Sequence, residues 1–420
     1  MAKAKLVARP LLIGAPMGLN LSKRRFTGSV WLWAASIALL GSGCSSDLLS
    51  SPTSGDGPAG DDGSYESPRG PEKGGDSLGD GDGLVVADPS GSAGEAGVAG
   101  AGSAGAPNMA VPPKVPSPDA KLKPQGQLTA GIFDDNLSFD FFTDYLKHHA
   151  AQQRGALPIT AEEMQASYEE SKKQRPRPTD LDISLVIDTT GSMGDELAYL
   201  KQELGSLASE ISERFPQASQ RWSLVVFRDE GDEYVTRKYN FTDDIQVFQG
   251  TLNGQTYGGG GDFPEAPDQG IAESVSLSWR TSDDVAKMMF LVADAPHHDE
   301  NRKAMADAIR SARDGGLHIY PVASSGVDEL TERSFRQAAQ LTLGRYLFLT
   351  DDSGLGGSHK APTLPCYYVT TLKKAILRSV EAELSGSSPA PTPAETVRFV
   401  GGLNDEGNCY YGDGYSARPF

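Results

Sequence analysis

The chain has 420 residues and a formal net charge of −18, and no positively charged stripe stands out in it. Proteins that bind nucleic-acid backbones neutralise phosphates with clustered lysine and arginine, so this composition argues against a nucleic-acid binder. Three cysteines are too few for a disulfide scaffold. Glycine and proline, with 48 and 27 residues, are concentrated in one N-terminal tract, so the globular part is shorter than the total length.

The first 43 residues have the pattern of an export signal. An apolar run over 30–40 is followed by small residues, and it is shorter than the ~20 residues of a membrane-spanning helix. We therefore predict that 1–43 is a signal peptide, with Met1 or Met17 as the true start. The segment contains no acidic residue and these basic ones: Lys3, Lys5, Arg9, Lys23, Arg24 and Arg25.

The end of this segment, Gly41-Ser42-Gly43-Cys44, resembles the lipoprotein box of bacteria, with Gly41 where the box usually has leucine. The resemblance implies that Cys44 is lipidated and becomes the new N-terminus. Since serines rather than aspartate follow Cys44, it also implies an envelope anchor at the outer membrane rather than the inner one. The alternative is a plain secretory signal with an incidental cysteine.

Residues 44–118 consist mostly of glycine, serine, alanine, proline and aspartate. With few apolar side chains to bury, they are predicted to form a disordered tether. As a flexible coil, ~70 residues have an r.m.s. span of about 45 Å. Residues 119–179 form an N-terminal flanking segment with an aromatic cluster and a helix-like acidic stretch, and 385–420 form a Pro/Ser-rich linker and a short tail.

Between residues 180 and 384, apolar strands alternate with amphipathic helices. Strands are predicted over 181–187, 222–227, 234–239, 285–293, 317–323 and 345–349, and helices over 194–215, 302–314, 331–340 and 370–384. This alternation predicts an α/β fold, doubly wound, with a mostly parallel central sheet flanked by helices. In such sheets, ligands bind beyond the carboxyl ends of the strands.

Three polar residues follow the strand over 181–187. Asp188, Thr190 and Ser192 are spaced two apart, so in an extended turn their oxygens point to one side. One carboxylate and two hydroxyls are hard donors that suit Mg²⁺, Mn²⁺ or Ca²⁺ rather than zinc. The alternative is that the two hydroxyls only cap the following helix.

The pattern Asp188-x-Thr190-x-Ser192 resembles the metal-ion-dependent adhesion site of von Willebrand factor A domains, with threonine in place of the commoner first serine. Two later loops resemble the family's other site loops at similar spacing. The loop over 258–266 has Asp262 where the family usually has threonine, and the loop after 285–293 has Asp294.

The resemblance covers about residues 180–384 and identifies this region as such a domain. It implies that a divalent cation, Mg²⁺ by preference, is held by Asp188, Thr190, Ser192, Asp262 and Asp294. The ion would keep a vacant position for an oxygen from outside.

Further residues are expected at the margin of this site. Gly260 and Gly261 would let the backbone approach closely and adopt positive φ. His297 and His298 are expected beside the ion rather than on it, because the other donors are all oxygens. The acidic turn over 229–233 is interpreted as a solvated turn rather than a second metal site.

Two cysteines remain once Cys44 is set aside. An exported chain meets oxidising conditions, which favour a disulfide between Cys366 and Cys409. Two free buried thiols are an equally weighted alternative.

We expect an exported, lipid-anchored protein that binds a carboxylate of a protein partner through its cation, in adhesion or envelope assembly, and no nucleic acid. A structural envelope protein with a purely stabilising cation is the alternative. A hydrolase using Ser192 with Asp294 and His318 is disfavoured, because Thr190 replaces the first glycine of a nucleophile elbow. We therefore expect no enzyme.

Overall fold

The computed structural model describes residues 126–149, 155–388, 391–411 and 416–419. The predicted signal peptide, the lipidation site Cys44 and the tether over 44–118 lie outside the described residues. Within the described part, every helix is too short or too polar to be a candidate membrane span.

A nine-stranded mixed sheet forms the centre of the fold, in the spatial order β4-β3-β2-β5-β6-β7-β1-β8-β9. The five neighbouring strands from β3 to β7 are parallel, and the pairings at both margins are antiparallel. In chain order the strands are β1 Thr129–Phe133, β2 Asp180–Asp188, β3 Gln220–Phe227, β4 Thr236–Thr242, β5 Val285–Ala293, β6 His318–Ala323, β7 Tyr346–Thr350, β8 Tyr367–Thr371 and β9 Arg398–Val400. The predicted α/β class with a mostly parallel central sheet is confirmed.

Helices cover both faces of the sheet, and each face has its own apolar core. One core includes residues of α3, α4 and α8, and the other includes residues of α5, α6 and α7. On α3, apolar residues recur every three or four positions and form one stripe against the sheet. The helices are α1 Phe139–His149, α2 Ala161–Ser171, α3 Gly194–Arg214, α4 Ile245–Asn253, α5 Pro267–Val275, α6 Arg302–Asp314, α7 Glu329–Thr342 and α8 Leu372–Ser385.

The elements predicted between 180 and 384 are all present, with ends that differ by a few residues. Three elements of this region were not predicted: α4, α5 and β8. Helix α5 was not predicted because it has only nine residues and contains Gly270, a poor helix former. Gly270 is required there, since a Cβ at this position would lie 2.8 Å from the ring of Phe227. Pro267 lies in the first turn of α5, where proline is common.

The sheet extends beyond the predicted domain 180–384 on both sides. β1 comes from the flanking segment 119–179 and lies between β7 and β8, with Thr129 opposite both Thr350 and Thr371. β9 comes from the segment 385–420 and pairs with β8. The boundaries at 180 and 384 therefore do not mark the limits of the folded sheet.

The C-terminal segment is attached to the sheet by a disulfide between Cys366 and Cys409, with a Cα–Cα distance of 5.9 Å. Cys366 directly precedes β8. Cys409 belongs to a small hairpin formed by β10 Cys409–Tyr410 and β11 Ser416–Ala417.

A buried ion cluster connects the flanking segment to α7. The fully buried Arg336 donates through Nε to Asp135 Oδ2 at 3.1 Å and lies 3.3 Å from Glu332 Oε1. Its guanidinium lies 4.2 Å from the ring centroid of Tyr145 on α1. Arg336 thus supplies positive charge to two carboxylates that have no access to solvent.

The loop over 354–365, which we call the His359 loop, has a buried histidine among the residues that hold it. The His359 side chain is 2% exposed, with Nδ1 2.8 Å from Asp351 Oδ1 and Nε2 3.0 Å from Glu196 Oε1. Only an imidazolium donates from both nitrogens. Although burial lowers the pKa of His359, hydrogen bonds to these two carboxylates raise it above its ordinary value.

We expect Arg336→Met to lower the free energy of unfolding by about 3–5 kcal/mol, because Asp135 would remain buried without a counter-charge and Glu332 would retain only Lys360, whose Nζ lies 2.6 Å from its Oε2. Urea unfolding followed by circular dichroism measures this. The matched control is Arg237→Met on β4, whose partner Glu233 is 66% exposed. That change should cost less than about 1 kcal/mol. Equal losses in the two variants would contradict the role of Arg336.

We also expect stability to decline as the pH rises above about 6.5, the ordinary histidine pKa. Below that value His359 is protonated in both states and its contribution is complete. The contribution disappears as the pH rises through the higher pKa of the folded state. Urea unfolding at several pH values should show a weaker decline in His359→Gln than in the parent. The same decline in both would rule out a charged His359.

Candidate functional site

The candidate residues lie where the parallel strands end. Asp188 is the last residue of β2, and Asp294 directly follows β5. The two strands are neighbours, with Ile187 opposite Val292, so the two aspartates lie at adjacent strand ends. The sheet therefore brings together two of the predicted carboxylates.

The turn after β2 directs one hydroxyl, that of Thr190, to Asp188. The backbone N–H and the hydroxyl of Thr190 donate to Asp188 Oδ1 at 2.8 and 2.7 Å, and the hydroxyls of Thr190 and Ser192 are 3.1 Å apart. The Thr190 hydroxyl thus bonds to Asp188 instead of capping the 3₁₀ turn Gly191–Met193. Asp188 and Thr190 are completely buried, whereas Ser192 is exposed.

The glycine-rich loop over 258–266 contributes a carboxylate that the sequence analysis did not single out. Glu265 is 3% exposed, whereas Asp262 is exposed at the margin of the site. Glu265 Oε1 lies 2.9 Å from the place that a Cβ on Gly260 would occupy, and the Thr190 Cβ lies 3.2 Å from the same place. The buried acid of this loop is therefore Glu265. Because burial is not visible in the sequence, its position three residues after Asp262 did not distinguish Glu265 as the buried acid.

The loop reaches this position through left-handed backbone conformations. Gly258, Gly259 and Gly260 have φ values of 153°, 79° and 74°. The N–H of Gly260 donates to Asp232 Oδ2 at 2.9 Å, and the N–H of Gly191 donates to the carbonyl of Gly259 at 3.1 Å. Gly260 thus has the positive φ that was predicted for it. Gly261 has an ordinary φ and open space around it.

The acidic turn over 229–233 is only partly the solvated turn that was predicted, because Glu230 and Glu233 are exposed whereas Asp229 and Asp232 contact the loops of the site. Asp229 is only 5% exposed and lies 2.6 Å from Nε2 of His298. The neighbouring Asp232 accepts hydrogen bonds from the N–H groups of Asp229 and Gly260. This turn therefore holds both the glycine-rich loop and the loop after β5.

The two histidines after Asp294 have different surroundings. His297 is buried, and burial lowers its pKa to about 4, so its imidazole is neutral. For His298, burial lowers the pKa, but the bond to Asp229 outweighs this and raises it above its ordinary value. When His298 is protonated, its positive charge faces Asp229.

The buried carboxylates repel one another. Burial first, and then the charge of Asp294, raise the pKa of Asp188 well above its ordinary value. Burial, followed by the charges of Asp188 and other neighbouring carboxylates, raises the pKa of Glu265 to about 9. Close carboxylates cannot all ionise without a compensating positive charge. A bound cation would supply that charge.

The fit to a divalent cation is supported by oxygen atoms that lack a partner. Within the described part of the chain, Asp188 Oδ2 and Glu265 Oε2 are buried without a hydrogen bond. In the same part, no three histidine, cysteine, aspartate or glutamate side chains form a group that could hold a metal ion. A cation between Asp188 and Asp294 would therefore also need hydroxyl and water oxygens.

A cavity of about 390 Å³ opens beside Ser192. Its lining includes Asp262, Phe263, Glu265 and Asp294, together with residues of the His359 loop on another wall. The exposed hydroxyl of Ser192 and three acidic side chains thus face one space.

The structure does not assemble the hydrolase arrangement. His318 is the first residue of β6, opposite Met288 and five residues before the paired end Ala293 and Ala323. Its Nδ1 lies 2.7 Å from Glu383 Oε1. His318 therefore lies at the opposite end of the sheet from Ser192.

Comparisons with known proteins give one family and several weaker similarities. Residues 182–354 match the model of the von Willebrand factor A domain. Over 127 residues, the chain is 31% identical to a putative ariadne-like RING finger protein, R811, of Acanthamoeba polyphaga mimivirus. That match covers 29% of this chain and 12% of the viral protein.

Two solved structures are similar to parts of this chain. The conserved hypothetical protein BatB from Bacteroides thetaiotaomicron has 14% identity and a TM-score of 0.34, with 50% of this chain and 99% of that one covered. The pilus adhesin SpaC from Lactobacillus rhamnosus GG, in its open conformation, has 16% identity and a TM-score of 0.31, with 41% and 27% covered. The family assignment comes from the sequence match, which includes Asp188, Asp262 and Asp294, and over residues 182–354 this chain is a von Willebrand factor A domain.

Proposed function

We propose that the domain binds a divalent cation, with Mg²⁺ preferred, and through it a carboxylate of a protein partner. The observation that supports this best is the completely buried Oδ2 of Asp188, which has no hydrogen bond within the described residues. Buried polar atoms are nearly always paired, and an unpaired carboxylate oxygen is costly. A cation would satisfy this oxygen and reduce its repulsion with Asp294.

The proposed ligands are Asp188, Thr190, Ser192 and Asp294, directly or through water. Carboxylate and hydroxyl oxygens suit Mg²⁺, which usually retains several waters; Mn²⁺ and Ca²⁺ accept the same donors. Asp262 was predicted as a further ligand. Because Glu265 is the buried carboxylate of that loop, we propose that Glu265, rather than Asp262, contributes negative charge next to the cation. Asp262 would then lie at the margin of the site.

A partner can reach this site from solvent. Ser192 is exposed and lines the open cavity, so an oxygen from outside could complete the coordination of the cation. We propose an acidic side chain as the donor. A binding role rather than an enzymatic one is favoured because His318 lies at the opposite end of the sheet from Ser192.

We further propose that the protein is exported and anchored by a lipid on Cys44 in the bacterial envelope, at the outer membrane. The support is the sequence pattern at residues 1–46. The Gly-rich tract over 44–118 would then give the domain reach for a partner in adhesion or envelope assembly.

A second candidate is a structural protein whose cation only stabilises the fold. It is favoured by the complete burial of Asp188 and Thr190, because relief of repulsion there needs no partner.

We expect Mg²⁺ to bind the purified full-length protein, and Asp188→Asn to weaken binding at least about 100-fold through loss of charge at the ion. Isothermal titration calorimetry measures this. The matched control is Asp180→Asn at the other end of the same strand, which should leave Mg²⁺ affinity unchanged. The metal-free Asp188→Asn protein should melt no lower than the metal-free parent, because a repelled charge is gone. Equal Mg²⁺ affinity in Asp188→Asn and the parent would refute the metal assignment.

Removal of Mg²⁺ with a chelator distinguishes between the two candidate functions. Mg²⁺ should raise the melting temperature under both, by mass action on the folded state. Only the partner-binding function predicts that immobilised protein retains envelope proteins with Mg²⁺ and releases them with EDTA. The Asp188→Asn protein should retain none of them. Melting that depends on chelator, with retention that does not, would favour the structural candidate.

A further inference from the structure

We propose that the partner's acidic residue is recognised together with a neighbouring large apolar side chain, which packs against Phe263 in the cavity beside Ser192, an inference that rests on the proposed cation-mediated function. The occupant is a polypeptide segment in which a glutamate or aspartate adjoins an aromatic or large aliphatic residue.

The size of the cavity is the first reason. It measures about 390 Å³, whereas roughly 10–15 Å³ is enough for one water molecule. One carboxylate and the waters of one cation leave most of this space unfilled. The site thus has room for a second side chain next to the one that reaches the ion.

The character of the walls is the second reason. Phe263 is 45% exposed and lines the cavity next to Asp262 and Glu265. Ala295 and the backbone of two glycines line other parts of it. The lining therefore combines acidic side chains, which a cation would neutralise, with the apolar surface of Phe263 and Ala295.

Phe263 is not an isolated exposed ring. Tyr257, at the other end of the glycine-rich loop, is 57% exposed. It lies over the first turn of α3, because a Cβ on Gly194 would come within 2.8 Å of its ring. Exposed aromatic side chains thus lie on both sides of the glycine run 258–261. Aromatic residues are enriched among those that dominate binding energy at protein interfaces.

The part of the lining that the His359 loop provides is held in place before any partner arrives. Gly357 and Ser358 of the His359 loop line the cavity, and the carbonyl of Ser358 accepts a bond from the N–H of Gly326 at 3.3 Å. Next to them, His359 is held between Glu196 and Asp351. A wall held in this way needs no ordering on binding, which favours affinity for an apolar group that fits.

The partner's chemistry follows from these walls. A cation next to Ser192 attracts a carboxylate, and Phe263 offers an apolar contact within the same 390 Å³. A basic segment would meet the cation's repulsion. An acidic segment without an apolar neighbour would leave Phe263 exposed to water.

Three blocked tripeptides test this with the full-length protein and Mg²⁺: Phe-Glu-Phe, Ala-Glu-Ala and Phe-Gln-Phe. Titration calorimetry should give at least a tenfold tighter binding of Phe-Glu-Phe than of Ala-Glu-Ala, which corresponds to about 1.4 kcal/mol. Binding of both glutamate peptides should disappear with EDTA, and Phe-Gln-Phe should bind far more weakly than Phe-Glu-Phe.

Substitutions of Phe263 then test whether this residue causes the preference for Phe-Glu-Phe over Ala-Glu-Ala. Phe263→Ala should reduce the tenfold ratio to about twofold or less, and Phe263→Leu should retain part of it. The matched control is Val247→Ala on α4, which removes a side chain that is 55% exposed and absent from the cavity lining. It should leave the ratio unchanged. Mg²⁺ affinity measured on each sample shows that the variant is folded.

Different peptide-binding results would overturn different parts of the proposal. Equal Mg²⁺-dependent affinity for Phe-Glu-Phe and Ala-Glu-Ala would overturn the apolar subsite and leave the cation-mediated function intact. Phe-Gln-Phe binding as tightly as Phe-Glu-Phe would overturn joint recognition. If Mg²⁺ binds but neither glutamate peptide does, the carboxylate-binding function and the subsite fail together.

Discussion

Mutual repulsion among buried carboxylates is the constraint on which the candidate site depends. Asp188 and Asp294 lie at the ends of adjacent strands, and Glu265 is pressed against the same turn by the glycine-rich loop. The hydrogen-bonded sheet prevents the two aspartates from moving apart. These acids must therefore either take up protons or share a cation, and the hydroxyls of Thr190 and Ser192 supply further oxygen donors for the second solution.

The surrounding loops hold this arrangement by hydrogen bonds from a second row of charged residues. Asp232 fixes the glycine-rich loop, Asp229 fixes His298 in the loop after β5, and His359 fixes the wall across the cavity. Each of these contacts joins segments distant in sequence. The site is consequently rigid on several sides, while its opening between Ser192 and Phe263 faces solvent.

Local sequence patterns predicted the elements whose structure depends mainly on residues close together in the chain. The near-continuous apolar runs of β2 and β5 indicated buried parallel strands, and their terminal aspartates indicated the site. The choice between Asp262 and Glu265 was not predictable, because it depends on the path of a loop with positive φ at 258–260. β1 was not predicted either. Its partners lie far along the chain, and five residues carry no local sign of a central position.

The placement of β1 has a consequence for how the protein reaches its native state. β1 is translated before every other strand of the sheet, yet its neighbours β7 and β8 follow it by more than 200 residues. The hydrogen bond between the hydroxyls of Thr129 and Thr350, for example, joins residues that are 221 positions apart in the sequence. Such distant contacts slow folding, because a long loop must close before they form. The gap between β7 and β8 exists only once β8 has been synthesised, so β1 must wait for both neighbours and its insertion is a late event in folding.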